Sequence, residues 1–241
     1  MEDLQIKIIS YKPNKKAIAL VSQIQFLVIA GPTASGKNTL INELLKTNLF
    51  IPIITHTTRP PRINLGVPEK EGSEYHFITD EEAIKMLDDQ QFIEVAYTHG
   101  HLYGTSIQEF QHAYRKEKIA IADIDIKGVK TYRLLSDKII PIFLMPPSFN
   151  VLIERLIKRY GSTEATQDIQ VRLTTAIDEL YEMLNDDYYY VIVNHNIKDS
   201  TKKVLDILKG RVSLKSDYEV NKLAKQIIQQ IKAYLANLPT A

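Results

Sequence analysis

Apolar positions recur along this chain with two spacings, and the switch between them predicts its elements. Uninterrupted runs at Phe26-Leu27-Val28-Ile29-Ala30, Ile51 to Ile54, Lys118 to Asp125, Ile139 to Met145 and Tyr188 to Val193 read as buried strands. Phe92-Ile93-Glu94-Val95-Ala96 alternates as a half-buried strand does. Between these runs, Leu40 to Leu45, Ser106 to Lys116, Phe149 to Lys158 and Asp168 to Leu184 read as helices, with Gly161 and Thr163 breaking the last two apart. Thr79 and Glu82 form a capping box that opens another helix, ending near Gln90. Strands alternating with helices indicate an α/β fold with a parallel sheet covered on both faces.

The two ends of the chain stand apart from this pattern. In residues 1–25, Ile6 to Ile9 and Ala17 to Val21 read as strand-like runs around the turn-rich Lys12-Pro13-Asn14-Lys15-Lys16, a hairpin-like extension. In residues 211–241, Ser216 and Glu219 make a second capping box. Leu223, Ile227, Ile228, Ile231 and Leu235 then recur at helical spacing, which predicts a terminal helix packed on the core. A dimer contact and a partner or membrane-surface helix are the alternatives for that segment.

Composition narrows the class. At 241 residues, 44% apolar and 24% charged, the chain is ordinary for one large α/β domain with insertions. A net charge of +1 supplies no field for nucleic acid or an anionic membrane. The absence of Cys excludes disulfides and thiolate metal sites. Met1-Glu2-Asp3-Leu4 lacks a signal pattern, and the apolar stretch from Ala17 to Ala30 is too short and too interrupted to span a bilayer. A cytoplasmic protein with small-molecule partners is expected, either monomer or homodimer.

The chemistry begins at Gly31-Pro32-Thr33-Ala34-Ser35-Gly36-Lys37-Asn38-Thr39, set between a strand and a helix. This is the layout of a phosphate-binding P-loop, in which backbone N–H groups and a helix N-terminus cradle a phosphate and Lys37 neutralises the outer ones. Asn38 stands where Ser or Thr ordinarily ligates Mg²⁺; its amide oxygen can do the same.

Four further motifs follow in order: Thr58-Arg59-Pro60-Pro61-Arg62, Gly72-Ser73-Glu74-Tyr75-His76-Phe77, Gly100-His101-Leu102-Tyr103-Gly104-Thr105 and Asp123-Ile124-Asp125-Ile126-Lys127-Gly128. With the loop they make the chain resemble the guanylate kinases, ATP-dependent GMP phosphotransferases, over roughly Phe26 to Val204. The resemblance implies a P-loop kinase core within residues 26–210. It also implies an NMP-binding insertion at about 55–118 and a lid at about 147–169. It implies the phosphorylation of GMP or dGMP by ATP and Mg²⁺, in purine nucleotide metabolism.

By that resemblance, residues 31–39 and Asn194 would bind ATP. Arg59, Arg62, Tyr75 and Tyr103 would bind the GMP phosphate, as suits planar, permanently charged forks and hydroxyl donors facing a dianion. Glu94 would accept the guanine N1–H and N2 amino donors, with Thr55 and Thr105 as base-contacting hydroxyls where the family usually has Ser. Asp125 would help place the acceptor, and Asp123 would lie behind the water shell of Mg²⁺. Lys37, Arg155, Arg159 and Arg172 would supply the catalytic cations. Two other readings stay open on sequence alone. One is a non-catalytic guanylate-kinase-like binding module whose loop is weakened at Asn38. The other is a P-loop kinase for a different phosphate acceptor, against which Glu94 and Thr105 argue.

Overall fold

A computed structural model describes residues 2–64, 67–98, 100–160, 167–212 and 218–238. In chain order the elements are α1 (Glu2–Ser10), α2 (Lys15–Val21), β1 (Phe26–Ala30), α3 (Lys37–Leu45), β2 (Phe50–Pro52), β3 (His56–Thr57), β4 (Ile63–Asn64), β5 (Val67–Pro68) and β6 (His76–Phe77). They continue with α4 (Asp80–Asp88), β7 (Phe92–Thr98), β8 (His101–Ser106), α5 (Ile107–Arg115), β9 (Ile119–Asp123), α6 (Ile126–Leu135) and β10 (Ile139–Met145). The last are α7 (Phe149–Tyr160), α8 (Gln167–Asn185), β11 (Tyr190–Val193), α9 (Ile197–Leu208) and α10 (Tyr218–Ala236). This is the expected mixed α/β fold with a parallel sheet flanked by helices.

The chain forms two compact units. The first comprises residues 1–27, 48–122 and 127–139; the second comprises 28–47, 123–126 and 140–241. In the first, β2 runs parallel to β9, Phe50 opposite Ile119. The same unit holds a separate four-stranded sheet in the order β6-β3-β8-β7, where β8 is antiparallel to both its neighbours. The Phe26 ring packs edge to face at 5.0 Å against both Phe110 and Tyr132 in its core. In the second unit β10 runs parallel to β11, Ile142 opposite Tyr190, and β10 is buried along nearly its whole length.

The N-terminal segment corrects the strand-like expectation: Ile6 to Ile9 and Ala17 to Val21 lie in helices α1 and α2. The deciding signal is the four-residue spacing. Leu4 and Ile8 are buried on one face of α1, and Ala17 and Val21 on one face of α2. Asn14 caps α2 by accepting from the Ala17 N–H. Apolar runs of four or five residues fit either period, and here the tertiary surface selects the helix. These helices fall in the same unit as residues 55–118.

Other boundaries follow local chemistry. The Thr79–Glu82 capping box forms as its sequence predicts. In the C-terminal helix, Ala224, Ile227, Ile228 and Ile231 are buried, and α10 packs on α7 and α8. The terminal helix is therefore a core-packed element. Ser216, and the break at Gly161 and Thr163, lie outside the described residues. No helix among the described residues is long and apolar enough to cross a membrane.

Candidate active site

In the second unit the P-loop is held from outside. Gly31 has φ 129°, and a Cβ there would lie 2.3 Å from the Leu144 carbonyl oxygen, so only glycine fits. Gly36 has φ 103°, and a Cβ there would meet Asn194 Nδ2 at 2.5 Å. Between them Ala34 is left-handed at φ 68°, a conformation that costs an L-residue about 1 kcal/mol. The Ser35 carbonyl accepts from Asn194 Nδ2 at 2.8 Å and from Arg155 Nη1 at 3.3 Å. Asn194 is itself buried, and its Oδ1 accepts from Ser200 Oγ at 2.9 Å. Asn194 and Arg155 therefore fix the loop's backbone.

Helix α3 begins at this loop with Gly36 at its N-cap, no side-chain cap and no acidic residue in its first turn. Such an end is a ready anion site. Lys37 Nζ donates to the Gly31 and Pro32 carbonyls and stands 3.8 Å from Asp123 Oδ1. Burial raises the Asp123 pKa, the charges of Lys37 and Arg159 oppose that rise, and Asp125 adds to it. Solvent still reaches 41% of the Asp123 side chain. Arg172 lies on α8, and its charge acts on Glu179 of the same helix. Asn38 and Thr39 are exposed at the start of α3, while Thr33 and Pro32 complete the loop.

In the first unit a separate constellation forms around Arg59. Its side chain is only 5% exposed. Nε donates to Tyr103 Oη at 3.1 Å, Nη1 to the Pro60 carbonyl at 2.7 Å and Nη2 to Glu69 Oε2 at 2.8 Å. The guanidinium also lies 5.2 Å over the Tyr75 ring, and the Tyr75 and Tyr103 rings meet at 5.9 Å. The same Glu69 oxygen accepts from the Arg62 backbone N–H at 2.8 Å, leaving the Arg62 residue exposed beside it. The structure thus brings Arg59, Tyr75 and Tyr103 together and places Arg62 at their edge.

Glu94 and Thr105 are direct partners across the β7–β8 ladder. Thr105 is fully buried, and its hydroxyl has no hydrogen-bond partner among the described residues. Thr55, just before β3, carries its carbonyl against the His76 N–H at 2.9 Å. Asp125 falls in the other unit, with Asp123 and Lys37, rather than with the residues around Arg59.

The guanylate kinase family model matches residues 23–211. The chain belongs to the guanylate kinase family. It is 37% identical over 188 residues to a guanylate kinase of Thermotoga maritima, covering 77% of this chain and 86% of that one. It is 38% identical over 186 residues to one of Campylobacter jejuni, covering 76% and 86%. Guanylate kinase 1 of Arabidopsis thaliana is 35% identical over 220 residues, covering 85% of this chain and 55% of its own length. A crystal structure of guanylate kinase from Anaplasma phagocytophilum is similar in fold, with a TM-score of 0.59, 24% identity and coverage of 84% and 93%.

Three residues of this guanylate kinase family member escape a reading by motif. Glu69 joins Arg59 to the Arg62 backbone; it follows β5, and no spacing in the sequence marks it. Glu179, seven residues beyond Arg172 on α8, has its pKa pushed up to about 7. Burial is the main cause, Lys37 and Arg172 oppose it, and Asp123 and Asp125 reinforce it. Tyr132 is fully buried with its hydroxyl unpartnered among the described residues. Burial raises its pKa well above normal and the Glu94 charge adds to the rise; the Thr105 hydroxyl opposes it without reaching good hydrogen-bond geometry. Helical periodicity alone could have put Glu179 on the Arg172 face, and nothing in sequence flags the other two.

The donor set also bears on Mg²⁺, which the family implies. Among the described residues no cluster of three or more His, Asp or Glu could hold a metal ion by itself. Asp123, with the exposed Asn38 amide, offers the one or two oxygen donors that suit a cation carried by nucleotide phosphates.

Proposed function

We propose that this chain is a guanylate kinase that transfers the γ-phosphoryl group of ATP to GMP. The observation that carries the reading is the Arg59–Tyr75–Tyr103 cluster in the same unit as the Glu94–Thr105 pair. A phosphate site with a base-reading carboxylate is what a nucleoside monophosphate requires and a simple phosphate acceptor does not. Glu94 accepts from the N1–H and N2 amino group of guanine, where adenine presents no matching pair of donors.

The P-loop unit supplies the donor side. The braced loop and the N-terminus of α3 hold the ATP phosphates, and Lys37 neutralises them. Asn194 serves ATP by fixing the loop backbone. Asp123 and Asn38 would hold Mg²⁺, which when bound neutralises charge on the phosphates. A GMP phosphate oxygen, already ionised, attacks the γ-phosphorus, and the bond to the ADP oxygen breaks, giving ADP and GDP. No general base is needed. Arg155, Arg159 and Arg172 add positive charge to the P-loop unit, where charge concentrates in the transition state.

The test is ADP formation from ATP and Mg²⁺ with GMP, dGMP, AMP, CMP or UMP as acceptor, for wild type and Asn38→Ser. Turnover with GMP and dGMP alone supports the reading and makes Asn38 a tolerated variation. Equal turnover with AMP overturns the role given to Glu94. Turnover in Asn38→Ser but not in wild type overturns the active enzyme.

A further inference from the structure

The family match begins at residue 23, so α1, α2 and Tyr11 between them lie outside it. They are nonetheless built into the unit that carries Glu94. Leu4 and Ile8 of α1 pack in one apolar cluster with Ala83 and Leu87 of α4, Phe92 of β7 and Leu102 of β8. Lys7 pairs with Asp88, and Asn14 Nδ2 donates to the Gln90 carbonyl at 3.4 Å. The most specific contact is made by Tyr11. Its hydroxyl donates to the Phe92 carbonyl at 2.6 Å and accepts from the Phe92 N–H at 3.1 Å. Its ring stands edge-on to the Phe92 ring at 6.4 Å. Since β7 is the edge strand of its sheet, this one hydroxyl serves Phe92 where a neighbouring strand would otherwise pair.

Phe92 is also where β7 leaves regular pairing. Phe92 faces Ser106 and Glu94 faces Thr105, so one extra residue is accommodated between them. In a regular strand residues 92 and 94 would project from the same face. Here Phe92 lies in the apolar cluster, and so do the side chains of Val95 and Tyr97, packed against it. The extra residue therefore turns Glu94 away from that cluster, onto the face it shares with Thr105.

We propose that Tyr11 is a positioning residue for guanine recognition: its hydroxyl pins the bulge in β7 that aims Glu94, so the segment ahead of the family core sets the affinity for GMP. This rests on Glu94 being the guanine reader. The experiment is steady-state kinetics of full-length Tyr11→Phe, with Glu94→Gln and Tyr114→Phe, an exposed tyrosine on α5, run alongside. Losing both hydrogen bonds of this hydroxyl should raise the KM for GMP about fivefold to tenfold in Tyr11→Phe, with the KM for ATP and kcat within about twofold of wild type. Tyr114→Phe should change none of them. An unchanged KM for GMP in Tyr11→Phe, or an equal rise in both KM values, overturns the positioning role. If Glu94→Gln also leaves the KM for GMP unchanged, the guanine-reader assignment fails first. If Glu94→Gln raises it while Tyr11→Phe does not, only the role of Tyr11 fails.

Discussion

In the P-loop unit, residues 31–39 are contiguous in sequence, and distant side chains brace them: Asn194 and Arg155 take the Ser35 carbonyl. In the other unit the functional groups are themselves distant in sequence, from Thr55 to Thr105, and one carboxylate, Glu69, ties Arg59 to the Arg62 backbone. One unit fixes a loop backbone through side chains from elsewhere in the chain. The other fixes a buried guanidinium through an ion pair and two aromatic rings. The first design is written locally and the second only in three dimensions. If the comparison is right, damage to each unit should show in the kinetics of one nucleotide only.

The largest effect is expected at Lys37. Lys37→Ala should lower kcat about a thousandfold, since cationic stabilisation of the transferring group is lost. Calorimetric affinity for GMP should stay within about twofold, because the groups proposed to bind GMP belong to the other unit. A matching loss of GMP affinity would break the division.

The units also oppose each other in pH dependence. In the first, His56 has its pKa lowered to about 4, mainly by burial and further by His76, against the charges of Glu109 and Glu71. A depressed histidine favours the fold while neutral, so its contribution is full above about pH 6.5 and is lost as pH falls through about 4. In the second unit Glu179, raised to about 7, contributes most below about 4.5, and this is lost as pH rises through about 7. Melting curves should therefore show His56→Phe blunting acid destabilisation. Glu179→Gln should gain stability over wild type above pH 7, each by about 2 kcal/mol after allowance for solvent screening. Parallel wild-type and variant profiles would contradict both assignments.

Asn194→Ala should be milder. It removes one of the two donors to the Ser35 carbonyl, leaving Arg155, and should cut kcat/KM for ATP about tenfold while the KM for GMP holds. A rise in the GMP KM alone would reverse the assignment. Smallest of all is Lys7→Ala, which breaks a surface pair with Asp88 and should cost under about 1 kcal/mol in a denaturant titration.

What the sequence discloses follows the same contrast. The P-loop could be read at once because strand, loop and helix are adjacent and Gly31 and Gly36 are demanded by positive φ and close approach. Around Arg59, only the residue types and their order were visible. Glu69 gains its role only by coming to lie against Arg59, ten residues earlier, and no periodicity encodes that contact. The bulge at Phe92 was hidden because Phe92 to Ala96 alternates well enough without it. Residues 1–25 were misread because their runs are too short to fix a period; Leu4 and Ile8 declare a helix only against α4 and β7.

The central claim, that GMP phosphate is bound by the Arg59 cluster and ATP by the braced P-loop, is tested most directly by initial-rate kinetics of Arg59→Ala with each nucleotide varied in turn. The account predicts a rise of about a hundredfold in the KM for GMP with the KM for ATP within about twofold, because a buried, bidentate-capable cation is lost from one site only. An unchanged KM for GMP, or an equal rise for both nucleotides, would contradict it.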